Sequence, residues 1–205
     1  MNINDLPVIL ASGSPRRIEM LKADGLDPFV LKPDCDETLH TPLAPHQTVM
    51  ALALKKGLAA AQALAQLPKA ALPFAAEETC LMISSDTVVA KGGRIFGKPQ
   101  SKEEARAMLC ALRGDVHQVY SGVLLQVCTT DKKLLFYEKT DVYVKDVSDR
   151  WIEDYIATKE PYDKAGAYAI QGAFGCHIDR IEGCYDNVVG LPYERLKQEL
   201  AKLQL

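Results

Sequence analysis

No apolar stretch in this chain approaches the ~20 residues that a membrane-spanning helix needs. Its first residues, MNINDLPVILASGSPRR, lack the basic-then-apolar order of a secretory leader. The six cysteines (Cys35, Cys80, Cys110, Cys128, Cys176 and Cys184) are scattered, with no C-x-x-C pair. That spacing argues against a zinc site and against a disulfide framework, so buried free thiols in a reducing cytoplasm are the expectation. The four histidines (His40, His46, His117 and His177) show no H-x-x-x-H spacing and read as surface or hydrogen-bonded groups. Neither a G-x-S-x-G nucleophile elbow nor a G-x-G-x-x-G dinucleotide fingerprint occurs. A formal net charge of -3 gives no bulk attraction to nucleic acid or to a membrane surface. Any anion bound here must be held by a local cluster of basic groups.

What is present is a chain of 205 residues, 48% hydrophobic and 25% charged, enough for a full core. It has no internal repeat or low-complexity tail, and one unit over residues 1–205 with two lobes about a cleft is expected. A short apolar strand at residues 7–11 breaks at Ser12-Gly13-Ser14. Pro15 then suits the first position of a helix that Ser14 would cap and Gly25 would end. Phe29, Val30 and Leu31 form a second strand, followed by an acidic loop with Asp36 and Glu37. An Ala/Leu-rich helix spans about residues 45–67, and the Pro/Ala-rich residues 68–79 read as a surface connection. The apolar strand at residues 80–83 ends on Ser84-Ser85-Asp86-Thr87, and a hairpin turns at Gly92-Gly93.

Ser101 to Glu104 spell a capping box for a helix that Gly114 closes. Strands at residues 117–128 and 134–144 pair across a polar turn at 129–133. A helix at 149–157, a long loop through Asp163 to Tyr168, a strand near 176–181 and a final helix after Pro192 complete the pattern. Interleaved strands and helices predict an α/β fold, a mixed sheet with flanking helices.

Three segments carry chemistry. In ASGSPRR, a helix N-terminus offers unpaired N–H groups and a positive dipole end. Ser12 and Ser14 add hydroxyls, and Arg16 and Arg17 add forked cationic donors suited to phosphate. A capped helix with two surface arginines would account for the segment equally. Asp86, following a buried strand, lies where α/β proteins place ligands, and the Glu37 loop could supply a second carboxylate. Two carboxylates suit magnesium, which keeps several waters and can acidify one of them. Asp86-Thr87 could instead simply cap a turn. GGRIFGKP nearly spells a P-loop, but Pro99 replaces the Ser/Thr, so the match is a coincidence that leaves Lys98 as a phosphate lysine.

The order of LASGSPRRIEML, the Asp36-Glu37 loop, Lys56, SDTVV, FGKP, ALRGDVHQVYSGV, DKAGAYAIQG and NVVGLP resembles the Maf family of nucleotide pyrophosphatases. The resemblance implies two lobes around a central cleft, a homodimer in many members, and a divalent cation, Mg2+ or Mn2+. It also implies hydrolysis of a nucleoside triphosphate to the monophosphate and diphosphate. Asp86 corresponds to the proton acceptor. Ser12, Arg16 and Arg17 correspond to the phosphate-binding motif, and Glu37, Lys56, Lys98 and Lys164 to charged residues of the cleft, with Glu37 and Asp86 facing the metal.

Arg16, Thr87 and Gln171 match specificity positions of the dTTP/UTP branch, whose I-Q-G resembles Ile170-Gln171-Gly172. The branch acting on 7-methylguanosine triphosphate has S-E-G instead. A glutamine amide can donate to O4 and accept from N3–H of uracil or thymine, whereas a carboxylate only accepts. Gly57, Ser85, Ser121 and the long 68–79 connection depart from the family pattern. Competing expectations are a 7-methyl-GTP pyrophosphatase, a general phosphatase, and a non-catalytic nucleotide-binding regulator of septum formation.

Overall fold

The computed structural model describes residues 3, 6–32, 34–75, 78–130 and 132–203. Asp131 in the expected 129–133 turn, and Ala76 and Glu77 in the 68–79 connection, lie outside the described residues. The elements are β1 (Val8–Leu10), α1 (Pro15–Ala23), β2 (Phe29–Val30), α2 (Pro45–Gln66), β3 (Leu81–Lys91), β4 (Arg94–Phe96) and α3 (Lys102–Leu112). They continue with β5 (Val116–Val127), β6 (Lys133–Val144), α4 (Asp149–Ile156), β7 (Ile178–Glu182), α5 (Tyr185–Val189) and α6 (Tyr193–Lys202). Seven strands form one mixed sheet in the order β2-β1-β3-β5-β6-β7, with β4 also paired to β3.

The long strands β3, β5 and β6 run antiparallel as a shared spine, with Leu81 opposite Val127 at one end and Ala90 opposite Gln118 at the other. On its other edge β3 carries two short partners. β1 pairs in parallel with residues 81–83, and β4 pairs antiparallel with residues 89–91. Between them, residues 84–88 of β3 have no strand partner on that edge. This gap is the mouth of the cleft.

Each end of the spine has its own core. Leu10, Leu21, Ile83, Leu125 and Leu196 fill one around β1, α1 and α6. Met108, Leu109, Val142, Ile152 and Phe174 fill the other around α3 and α4. Helix α2 lies across β3 and β5. Its Gly57 allows the close approach, since a Cβ there would stand 2.4 Å from Leu124 Cδ2 and 2.7 Å from Ser84 Oγ. Ser84 Oγ in turn donates to the Ala53 carbonyl at 2.8 Å. A glycine at position 57 thus answers the Leu124 and Ser84 side chains beneath it. Alanine is worth about 1 kcal/mol more than glycine in a helix, but overpacking of this kind costs about 1–3 kcal/mol. Gly57→Ala is therefore expected to lower the melting temperature by a few degrees. A rise in a thermal melt would show that α2 lifts off the sheet at little cost.

The structure corrects two expectations. The strand at residues 80–83 does not end on Ser84-Ser85-Asp86-Thr87: β3 runs unbroken to Lys91 and β5 pairs with it throughout. Polar residues are tolerated in mid-strand because Ser84, Asp86 and Thr87 each find a hydrogen-bond partner. The strand expected near 176–181 begins at Ile178, as residues Ala173–His177 form a 3₁₀ turn. The Ser101 box is also offset by one residue: Ser101 Oγ accepts from Glu104 N–H, while Glu104 Oε2 accepts from Gln100 N–H. No disulfide forms among the six cysteines; Cys80 is buried, but Cys176 is exposed. No helix is long and apolar enough to cross a membrane among the described residues.

Candidate active site

The gap in the edge of β3 opens into a cleft of about 450 Å³ lined from both lobes. One wall is the turn between β1 and α1, where Ser12, Gly13, Ser14 and Arg16 face the cavity. Ser14 sits at the cap position without a side-chain capping bond, and Pro15 opens the helix. The first N–H groups of α1 therefore remain available to an anion.

Asp86 lies on the floor in mid-strand. Its side chain points to the same side of the sheet as Ser84, so it meets α2, and Lys56 Nζ donates to Asp86 Oδ1 at 2.6 Å. The same ammonium stands 3.1 Å from Glu37 Oε2. Glu37 is delivered by a local turn: Asp36 Oδ1 accepts from Thr38 N–H, and Lys55 of α2 donates to the Thr38 carbonyl. Hydrogen bonds from the Thr38 hydroxyl first and from its backbone N–H next hold the Asp36 carboxyl below its usual range. Asp36 itself does not line the cleft. Asp86 lines the cleft, and its Oδ2 makes no hydrogen bond among the described residues.

Arg17, next to Arg16, also lines the cleft, but its side chain is bound within the fold. Its guanidinium is buried and makes four hydrogen bonds, to Ser12 Oγ, the Ser85 carbonyl, Thr87 Oγ1 and the Gly190 carbonyl, at 2.7–3.0 Å. Burial pulls its pKa down from the ordinary guanidinium value, while the Asp86 charge opposes that shift. The Thr87 hydroxyl is held in the same network, by Arg17, by Ser121 Oγ at 2.8 Å and by the Gly190 carbonyl at 3.2 Å. Ser121 Oγ also donates to the Asn187 carbonyl at 3.4 Å. Asn187 on α5 closes it from below, donating to the Val119 carbonyl and to Thr140 Oγ1. Ser12 Oγ accepts from Arg17 and from Ser14 N–H, so its own proton is left to donate to a ligand.

The structure thus brings Ser12, Arg16, Arg17, Glu37, Lys56, Asp86, Thr87, Lys98 and Lys164 around one cavity. The Arg16 and Lys98 side chains form no hydrogen bond or ion pair among the described residues, whereas the Lys164 ammonium is held by the Glu160 carbonyl and Asp163. Gln171 is the exception. It is exposed and stands one residue beyond Ile170, which does line the cleft. Lys32 was not anticipated. It follows β2, whose parallel pairing with β1 brings both strand ends to the same side, and its stem covers Gly13. The C-terminal ends of neighbouring parallel strands are where such sheets hold ligands, and that was the signal available.

No group of three or more His, Cys, Asp or Glu side chains converges among the described residues. The two carboxylates Glu37 and Asp86 nevertheless converge on one cation, the Lys56 ammonium. That donor set fits a magnesium or manganese ion sharing its remaining positions with water and phosphate oxygens. Asp163 also lines the cleft, and much of the remaining lining is apolar, from Val89, Val119, Tyr168, Ile170 and Val188. The cavity therefore combines several charged groups with apolar walls against which a flat, uncharged ring could pack.

The Maf family profile, described as Maf-like protein, matches residues 7–203. A Caldicellulosiruptor bescii protein named dTTP/UTP pyrophosphatase is 44% identical over 196 residues, covering 96% of this chain and 94% of its own. One of the same name from Pelotomaculum thermopropionicum is 42% identical over 195 residues, covering 95% of each chain. Another, from Agathobacter rectalis, is 42% identical over 199 residues, covering 96% of this chain and 97% of its own. Among solved structures, the Staphylococcus aureus Ham1 protein aligns over 96% of this chain and 98% of its own at 16% identity and a TM-score of 0.45.

Proposed function

We propose that this chain, which belongs to the Maf family, is a nucleoside triphosphate pyrophosphatase that converts dTTP and UTP with water to the monophosphate and diphosphate. The observation that carries it is Asp86, which lines a cleft rich in cationic groups, with Oδ1 bound by Lys56 and Oδ2 making no hydrogen bond among the described residues. Relatives bearing the name dTTP/UTP pyrophosphatase at 42–44% identity support the substrate pair.

In this reading the N-terminus of α1, with Ser12, Arg16, Lys32, Lys98 and Lys164, holds the triphosphate oxygens. The apolar walls enclose the base. Asp86 accepts the proton of the water that attacks the α-phosphorus, and the bond to the β-phosphate oxygen breaks. The departing diphosphate leaves against the cations, whose charges act on the negative charge that develops there. Arg17 and Thr87 act from behind, by fixing Ser12 and the backbone that presents Asp86. Glu37 and Asp86 would hold the divalent cation, which when bound neutralises phosphate charge and acidifies a water. The family resemblance supports a homodimer, and the six free cysteines a reducing, cytoplasmic setting, as part of the same reading.

Gln171, at the rim, reads the O4 and N3–H edge of the pyrimidine. Thymine and uracil share that edge and differ by one methyl group, worth roughly 1–3 kcal/mol at most. Cytosine presents the opposite pattern. The test is a product assay with magnesium or manganese on dTTP, UTP, CTP, GTP and 7-methyl-GTP. Diphosphate from dTTP and UTP, with CTP poor, is expected. Diphosphate chiefly from 7-methyl-GTP would keep the reaction and overturn the base assignment. Orthophosphate as the product would overturn the reaction itself.

A further inference from the structure

The turn that presents Gln171 is gripped by a side chain outside the cleft lining. Glu160 begins a 3₁₀ turn, Glu160–Asp163, that follows α4. Its Oε1 accepts from Tyr155 Oη at 3.0 Å and from Ala173 N–H at 3.0 Å, with Oε2 3.3 Å from the same N–H. The turn closes on itself, as Gly172 N–H donates to the Ala169 carbonyl at 3.1 Å. The carboxylate fills the space where a side chain on Gly172 would go, since a Cβ there would stand 1.8 Å from Glu160 Oε1. Tyr155 is buried, and its pKa is raised by burial first and by the Glu160 charge next, with the Ala169 N–H acting the other way. It therefore stays a phenol and a donor.

The approach to this turn is also constrained. Ala167 holds a φ of 64°, uncommon for a residue other than glycine, and the following Tyr168 is fixed by a 2.7 Å hydrogen bond between its hydroxyl and His117 Nε2. Residues 166–173 are thus a shaped loop held at both ends, in which Gln171 is exposed.

We propose that Glu160 is a positioning residue for base selection: its carboxylate sets the backbone at Gly172-Ala173 and through it the direction of Gln171. The inference rests on the reading of Gln171 as the base-reading side chain. The Lys164 ammonium is held without this carboxylate, by Asp163 and by the backbone carbonyl of Glu160, which a side-chain substitution leaves in place.

The experiment is steady-state kinetics on dTTP and CTP for Glu160→Ala, Glu160→Gln, Gln171→Ala and the Glu160→Ala/Gln171→Ala double variant. Glu160→Ala is expected to raise KM for dTTP about tenfold, the worth of roughly one misplaced hydrogen bond, with kcat little changed and discrimination against CTP reduced. Glu160→Gln keeps an acceptor oxygen at the Oε1 position and is expected to restore both. The double variant should discriminate no worse than Gln171→Ala alone, because the two act through one contact. Gly172→Ala, which displaces the carboxylate without removing it, should reproduce Glu160→Ala and serves if that variant folds poorly. A changed base preference in Gln171→Ala with none in Glu160→Ala or Gly172→Ala would overturn the positioning role. So would full additivity in the double variant. Unchanged preference in Gln171→Ala would overturn it too, and would trace the failure to the base reading beneath it.

Discussion

Asp86→Asn is expected to lower the rate of diphosphate release from dTTP by about 10²–10⁴, the usual contribution of a positioned general base. The substitution preserves shape. An asparagine oxygen can still accept the Lys56 hydrogen bond now made at 2.6 Å, and Lys56 keeps Glu37 at 3.1 Å. What disappears is the negative charge and the Oδ2 acceptor, and with them the proton acceptor and one of two carboxylates facing a cation. The loss should fall on kcat, since the anion-holding groups on α1 and at Lys98 and Lys164 are untouched. A thermal melt within a few degrees of the wild type would assign the loss to chemistry rather than folding. Retention of more than a tenth of the activity would move the base elsewhere, with Glu37 the next carboxylate in the cleft.

Much of this site was legible because its parts are contiguous. Ser12, Gly13, Pro15 and Arg16 announce a helix N-terminus built for an anion, and the structure leaves that end uncapped and facing the cavity. The hairpin at Gly92-Gly93 and the α2 helix followed from turn chemistry and apolar spacing in the same way. Contacts distant in sequence were less legible. Asp86 could be singled out, but not its place in mid-strand, because Ser84-Ser85-Asp86-Thr87 reads as a break until Lys56, Ala53 and Ser121 supply partners. Lys32 stayed hidden because its role depends on β2 lying parallel beside β1. Gln171 was expected in the lining. It stands just outside, since Glu160 and the Ala169–Gly172 hydrogen bond set the turn that carries it.

The adjacent arginines make the sharpest contrast. One signal could have separated them: Arg17 lies four residues before Leu21, a fully buried core position, and so shares its inward helix face. Arg17→Ala is expected to cost about 3–5 kcal/mol, because it strands the Ser85 carbonyl, leaves the Gly190 carbonyl with Thr87 Oγ1 alone, and takes from Ser12 and Thr87 their shared donor. For a chain of this size that is a fall of roughly 10 °C in melting temperature. Lysine cannot substitute, since one ammonium has three donors on a flexible stem where a planar fork reaches four acceptors. Arg17→Lys should therefore melt nearly as low as Arg17→Ala. Arg16→Ala, which breaks no hydrogen bond among the described residues, should melt with the wild type and raise KM for the triphosphate instead. The pair of measurements separates an arginine that builds the floor from one that meets the substrate. If Arg17→Lys kept its stability and lost only affinity, Arg17 would belong with Arg16 as a phosphate ligand, and the network behind Asp86 would have to be held by Ser121 and Asn187 alone.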